Sequence, residues 1–501
     1  MTHLRRNGVL MHLTSLPGPY GVGTMGKAAR EFVDFLAAAG QSVWQILPIC
    51  PTSYGDSPYQ SYSTFAGNPY LIDLDLLAEE GLLDPAEYRS IDWESREGDV
   101  NFGALYAKRY PVLRKAVQRF LQQPPAEFES FCTTQASWLE DYALFMALKD
   151  RQGGRSWWDW PEPLRNREAA ALRRAETDYR QDVTFWKGLQ YLFYRQWAAL
   201  KRCANDHGIS ILGDLPIYVS GDSVDVWAHP ELFQLDEHKL PREVAGCPPD
   251  GFSEVGQLWG NPLFDWDYMA RDGYRWWVDR IRYLCREYDL LRIDHFRGFE
   301  SYYAIPYGSD TAKIGRWRKG PGMDLFRHVT EELGEQPIIA EDLGFLTESV
   351  HQLLRDSGYP GMKVLEMGFD SRDPSGTAYL PHNFPVQCVA YAGTHDNDTV
   401  QGWMATAPAA DVAYAKAYLG LNEQEGYHWG MLRALWSSVA ELTVVQAQDL
   451  LGLGTESRMN TPSTVGNNWR WRAKDGVFTP ELAQRLRTAM ELYGRLPDTQ
   501  T

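Results

Sequence analysis

Eight short apolar runs, rich in β-branched residues and bounded by loop signals, constrain the fold of this chain most. They lie at residues 8–13 (GVLMHL), 43–48 (VWQILP), 211–214 (ILGD), 290–294 (LLRID), 337–341 (PIIAE), 361–365 (GMKVL), 389–395 (VAYAGTH) and 444–449 (VVQAQD). Continuous rather than alternating apolar character marks a strand covered on both faces, which is the habit of parallel sheets. Amphipathic helical patterns separate the runs. One example is residues 28–39 (AAREFVDFLAAA), followed by Gly40, which suits a left-handed helix C-terminus. Eight strands alternating with helices predict an α/β (β/α)8 barrel.

The alternation is interrupted twice. Between residues 66 and 185 the spacing of the second and third strands far exceeds a normal crossover, which predicts an inserted, mainly helical subdomain. The helical stripes Leu113, Val117, Leu121 and Trp138, Tyr142, Phe145, with Leu139 and Met146, read as its core. The tryptophans of SWWDWPEP, Trp157, Trp158 and Trp160, read as packing too. A smaller insertion rich in Pro, Gly and aromatic residues follows the third strand at about residues 216–266. The expected division is therefore 1–65 and 186–501 for the barrel, with 66–185 inserted and a lid at about 216–266.

Composition narrows the function classes. With 49 Lys+Arg against 66 Asp+Glu, the 501-residue chain carries a net charge of −17, a poor match for a phosphate backbone. The N-terminus, MTHLRRNGVLMHLTSLPGPYG, has no apolar core of signal-peptide length, and no run of about 18 apolar residues occurs elsewhere, so a cytoplasmic protein without a membrane partner is expected. Six scattered cysteines without CxxC spacing predict buried, inert thiols. The 19 Trp, 27 Tyr and 20 Phe fill a large core or present faces to the C–H surfaces of sugar rings.

Four predicted strands end in acidic groups: Asp214 in GDLPI, Asp294 in RIDHFRGF, Glu341 in IIAEDLG, and His395 with Asp396 in GTHDNDT. Strand C-termini in such a barrel converge on one mouth, where catalytic groups sit. Three chemistries fit. Paired carboxylates serve glycoside cleavage, one attacking the anomeric carbon and the other acting as acid and then base. Asp294, His295, His395 and Asp396 could ligate a hydrolytic metal, although strand alternation turns each histidine away from its neighbouring aspartate unless the strand has already ended. A structural cluster neutralised by arginines is the third. Arg292, two residues before Asp294, shares its strand face and is expected to keep that carboxylate ionised. Glu341 follows Ile338, Ile339 and Ala340, a dry setting that keeps an acid protonated.

These segments carry a resemblance. RIDHFRGF, IIAEDLG, GTHDND and GDLPIYV resemble the four short motifs of the α-amylase clan in their 4-α-glucanotransferase (amylomaltase, disproportionating enzyme) form. SLPGPYGVG, SYGDSPYQSYSTFAGNPYLI, WAHPELF, PPDGFSEVGQLWGNP and ESRMNTPSTVGNNWRWR are similar to further signatures of that family, in the family's order over residues 13–472.

The resemblance implies a barrel with insertions and no separate C-terminal β-domain, retaining chemistry, no coenzyme and no obligatory metal. Carried over, Asp294 is the nucleophile, Glu341 the acid/base, and Asp396 the third carboxylate, bonding sugar hydroxyls at the transition state. Asp214, Arg292 and His395 support them, and Tyr59 is the aromatic platform under the transferred sugar. The matching motifs place Tyr54, Asp250, Phe252, Ser253, Gln257, Trp259, Asn460 and Pro462 among the substrate-binding residues, with Trp469 and Trp471 on the mouth side. The implied substrates are maltooligosaccharides and starch- or glycogen-like α-glucans, with glucose as an acceptor. The loop at residues 248–259 is expected to act as a lid that keeps water out. Its Gly251 stands where many relatives carry a bulkier residue, which bears on the ratio of transfer to hydrolysis.

Overall fold

The computed structural model describes residues 5–249, 253–373 and 375–497, the side chain of Tyr54 excepted. Its strands in chain order are β1 Arg6–Leu10, β2 Val43–Gln45, β3 Ser210–Leu215, β4 Glu243–Cys247, β5 Gln257–Pro262, β6 Leu290–Ile293, β7 Ser301–Pro306, β8 Arg316–Lys319, β9 Ile338–Ala340, β10 Gly361–Val364, β11 Cys388–Tyr391 and β12 Leu442–Gln446. Eight of these form one parallel sheet in the order β10-β11-β12-β1-β2-β3-β6-β9, each at one of the eight apolar runs. The two ends of the sheet meet where the Ala340 N–H donates to the Pro360 carbonyl at 2.9 Å, so the sheet curls into the (β/α)8 barrel.

Two-sided burial explains the apolar runs. On the outer face the Trp44 ring packs edge-on against Phe32 at 5.2 Å. Phe32 belongs to helix Lys27–Ala38, which buries Phe32, Val33, Phe35 and Leu36 and is followed by Gly40 at φ +67°. Inside the barrel the Tyr391 hydroxyl donates to Gln45 Oε1 at 2.9 Å, because a buried hydroxyl needs a partner. A Cβ on Gly213 of β3 would lie 2.2 Å from the Tyr288 ring, so only glycine lets that ring cover the strand.

Residues 66–206 are dominated by helices, chiefly Phe102–Phe120, Ala126–Thr134, Ala136–Arg151 and Arg180–Asp206. The predicted boundary at 185 falls inside the last of these, whose 27 residues run without a break and deliver the chain to β3. Two buried glutamines of this helix fasten the loop after β2. Gln190 accepts from the Gly67 N–H at 2.7 Å and donates to its carbonyl at 2.9 Å, and Gln196 does the same for Asp73 at 2.7 and 3.1 Å. Leu113, Val117, Trp138, Leu139, Tyr142, Phe145, Met146, Trp157 and Trp160 are buried, with Leu121 and Trp158 partly so.

The segment after β3 does more than form a lid loop. Its β4 and β5 join β7 and β8, from beyond β6, in a separate antiparallel sheet of order β5-β4-β7-β8. The sequence reading did not anticipate β7 and β8 as part of that layer. Five of the six thiols are only partly buried, contrary to expectation, and Cys388 alone is fully covered. Burial nevertheless pushes Cys50 and Cys388 up to about 12 and Cys285 up to about 11, which keeps them protonated and unreactive. No helix among the described residues is long and apolar enough to cross a membrane.

Candidate active site

Asp214 lies inside β3 and Arg292 on the neighbouring β6, in register, so their side chains meet within the barrel mouth. Arg292 Nη1 contacts both Asp214 oxygens, at 2.8 and 2.7 Å, while Nη2 reaches Asp294 Oδ1 at 2.9 Å. Asp214 also accepts from the Tyr59 hydroxyl at 2.7 Å. One guanidinium therefore serves two carboxylates. Burial opposes its charge, but Asp214 and Asp294 outweigh burial and push Arg292 well up.

The expectation for Asp294 needs correction. Arg292 does pair with it, yet burial, reinforced by Asp214, Glu341 and Asp396, outweighs that pull and raises the Asp294 carboxyl well above its ordinary range. Its side chain remains 27 % exposed, facing the mouth. The physical reason is stoichiometry: four carboxylates converge on one shared cation in a dry site.

β6 stops at Ile293 and β9 at Ala340, so Asp294 and Glu341 stand one residue past their strands and escape strict alternation. Both oxygens of Glu341 are held: Oε2 accepts the His295 N–H at 2.7 Å and Oε1 the Leu343 N–H at 2.8 Å. Those bonds favour the carboxylate, but burial outweighs them and raises Glu341, in the direction expected of an acid. His295 presents its N–H from a left-handed backbone, φ +52°, unusual for a residue with a Cβ. Its ring packs edge-on against Trp259 at 4.9 Å, and burial depresses it to about 3, so it stays neutral.

A third cluster comes from the loop after β11. The rings of Tyr59 and His395 stack at 5.2 Å, and Trp469 leans on both, at 5.7 and 5.8 Å. His395 Nε2 lies 3.5 Å from Asp396 Oδ2, and the Asn460 amide donates to Asp396 Oδ1 at 2.6 Å. Arg458 bonds the Asp396 carbonyl at 2.6 Å and the Asn460 carbonyl at 2.7 Å. The sequence reading missed Arg458, although its place two residues before Asn460 in ESRMN is the signal that could have found it. Trp471 shares a small internal cavity with His12, Met459 and His395, and Pro462 is partly buried beyond Asn460.

On the lid side, Gln60 donates to Asn261 Oδ1 at 3.0 Å and to the Trp259 carbonyl at 3.4 Å, tying β5 to the residue after Tyr59. Trp259 Nε1 donates to Gln257 Oε1 at 3.1 Å, and Ser253 Oγ to the Gly256 carbonyl at 2.7 Å. Asp250, Gly251 and Phe252 lie outside the described residues, as does the Tyr54 side chain. Among the described residues no three His, Cys, Asp or Glu side chains are grouped to hold a metal.

Residues 11–478 match the family described as 4-alpha-glucanotransferase (glycoside hydrolase 77). The chain is 49 % identical to a 4-alpha-glucanotransferase of Clostridium butyricum, over 97 % of this chain and all of that one. It is 49 % identical to one of Thermus thermophilus, over 98 % and 99 % of the two chains. The structure of an amylomaltase from Streptococcus agalactiae, solved with acarbose, superposes with a TM-score of 0.96 at 43 % identity, over 98 % of this chain and all of that one. With a family match across nearly its whole length and relatives at about half identity, this chain belongs to the 4-alpha-glucanotransferase family.

Proposed function

We propose that this protein is a cytoplasmic 4-α-glucanotransferase that cleaves an α-1,4 bond in a maltooligosaccharide or starch-like glucan and passes the donor segment to the 4-hydroxyl of another glucan or of glucose. The observation that carries the reading is the arrangement at the mouth: Asp294 and Asp214 share Arg292, and Glu341 stands across in a dry pocket. Six scattered cysteines without CxxC spacing support a reducing compartment.

In the first step an ionised Asp294 oxygen bonds the anomeric carbon while Glu341 gives its proton to the departing glucan oxygen. Arg292 draws Asp294 toward ionisation against the burial that resists it. Protonation leaves one Glu341 oxygen a poorer acceptor, so one of its two backbone bonds weakens when the acid takes on its proton. In the second step Glu341 removes the proton of the acceptor 4-hydroxyl, which attacks the glucosyl–Asp294 ester with overall retention. Asp396, braced by Asn460 and His395, is placed to bond hydroxyls of the distorted ring, and Tyr59 to lie under it. Water competes for the same ester, so β5 and the Trp259 ring beside His295 favour transfer by covering the mouth. The helical segment at 66–185 is proposed as an inserted subdomain that buttresses this wall.

Incubation with maltotriose alone tests the reading. Longer maltooligosaccharides together with glucose are the expected products. Maltose and glucose with nothing longer than the substrate would make the protein a hydrolase, and no reaction would leave a glucan-binding barrel.

A further inference from the structure

Arg297 lies three residues beyond Asp294, yet it takes no part in the chemistry above. Its Nη1 donates to the Phe345 carbonyl at 2.6 Å and its Nη2 to Ser301 Oγ at 2.8 Å, while its guanidinium carbon sits 3.7 Å from the centre of the Trp317 ring. Each contact belongs to a different element: Phe345 to the loop that carries Glu341, Ser301 to β7, and Trp317 to the edge strand β8. One side chain thus brackets the nucleophile loop, the acid loop and the small antiparallel sheet together.

The bracket holds up two aromatic residues that the core does not need. Trp317 is 41 % exposed and Phe345 46 % exposed, whereas the other tryptophans and phenylalanines of the described residues are buried or partly buried. Tyr303, across the strand pair from Trp317, supports it with a ring contact at 5.1 Å and anchors its own hydroxyl on the Ala312 carbonyl at 3.0 Å. Hydrogen-bonding groups flank the pair: Glu300 pairs with Lys319, and the Thr347 and Ser349 hydroxyls lie 2.9 Å apart just beyond Phe345. An indole held by Arg297 and Tyr303, with exposed apolar surface and with the Thr347 and Ser349 hydroxyls and the exposed Lys319 ammonium nearby, matches the C–H face and hydroxyl rim of a pyranose.

We infer that Trp317 and Phe345, bracketed by Arg297, form an outer α-glucan subsite on the rim of the barrel, which binds glucose units of a long chain beyond those held at the catalytic carboxylates. The occupant follows from continuity. Phe345 lies four residues beyond Glu341 in the loop after β9, and Trp317 lies on β8 in the segment that follows Asp294 before the next barrel strand, so both stand at the same end of the barrel as the catalytic carboxylates, on the rim along which a long chain would leave. The inference rests on the glucanotransferase reading and adds a dependence on chain length to it.

Kinetics over a series of substrates provide the test. Trp317→Ala, Phe345→Ala and Trp317→Tyr would be compared with the unaltered protein on maltotriose, maltopentaose, maltoheptaose and amylose, after checking that melting temperatures agree. In the alanine variants KM for maltoheptaose and amylose is expected to rise about two- to tenfold with little change in kcat, while maltotriose is handled as before. Trp317→Tyr is expected to restore most of the long-chain preference. An equal loss on every substrate, or no change on any, would overturn the subsite while leaving the glucanotransferase reading intact. Failure of the unaltered protein to act on any of the four would overturn that reading and the subsite with it.

Discussion

Asp294→Asn removes the nucleophile with almost no change of shape, so kcat is expected to fall about 1,000-fold or more while maltooligosaccharides still bind. Near-normal turnover in that variant would contradict its assigned role. Glu341→Gln separates acid help from the rest of the site. Transfer from maltooligosaccharides is expected to fall about 100- to 10,000-fold, while an α-glucosyl fluoride, whose leaving group needs little protonation, keeps a much larger share of its rate. Arg292→Lys tests the shared cation. An ammonium lacks the fork that reaches Asp214 and Asp294 together, so Asp294 should be harder to ionise. Because its ionised form reacts, the acid limb of the kcat/KM profile is expected to move to higher pH, by about one unit, as a property of the coupled carboxylates. An unmoved limb would place the Asp294 titration under other control. The sequence placed Arg292 beside Asp294 by alternation, but it had no means of showing that Asp214 draws on the same guanidinium.

At the level of elements, the wall of the site depends on a tie between two segments far apart in sequence. Asn261 on β5 donates to the Val219 carbonyl at 2.8 Å and accepts from Gln60, beside Tyr59. Asn261→Ala leaves those groups unmatched, at a local cost of about 1–3 kcal/mol. A looser β5 admits water, so products from maltotriose are expected to shift from longer oligosaccharides toward maltose and glucose. An unchanged product ratio would free β5 from any part in excluding water. The eight barrel strands were legible because burial on both faces leaves continuous apolar runs. The strands β7 and β8 were not. Arg316, Arg318 and Lys319 make β8 read as a loop, and only pairing with Glu243 and Glu300 reconciles so charged a segment with a sheet edge.

For the molecule as a whole, several buried carboxyls set how stability follows pH. Burial pushes Asp225 and Asp342 up to about 6, and Glu287 and Asp449 up to about 7. Between about pH 4 and 7 the unfolded chain loses these protons while the folded chain keeps them, so stability contributed by the four groups declines as pH rises through that window. Asp449 is fully buried, accepts the Val400 N–H at 2.7 Å with one oxygen, and leaves the other without a partner. Asp449→Asn cannot titrate, so its denaturation free energy, measured against pH, is expected to fall less steeply than that of the unaltered protein from pH 4 to 7. Parallel curves would show that Asp449 ionises as freely folded as unfolded. What the sequence determined by itself was whatever is local or periodic: eight two-sided strands, a helical insertion, acidic groups at strand ends, and motifs that name a family. Tertiary structure alone decided which groups share a cation, which backbone N–H groups hold Glu341, how β4 and β5 find β7 and β8, and where Arg297 braces Trp317. Apart from the Leu343 N–H, two residues from Glu341, those are contacts between residues tens or hundreds of positions apart, brought together when the barrel closes, and no local pattern along the chain records them.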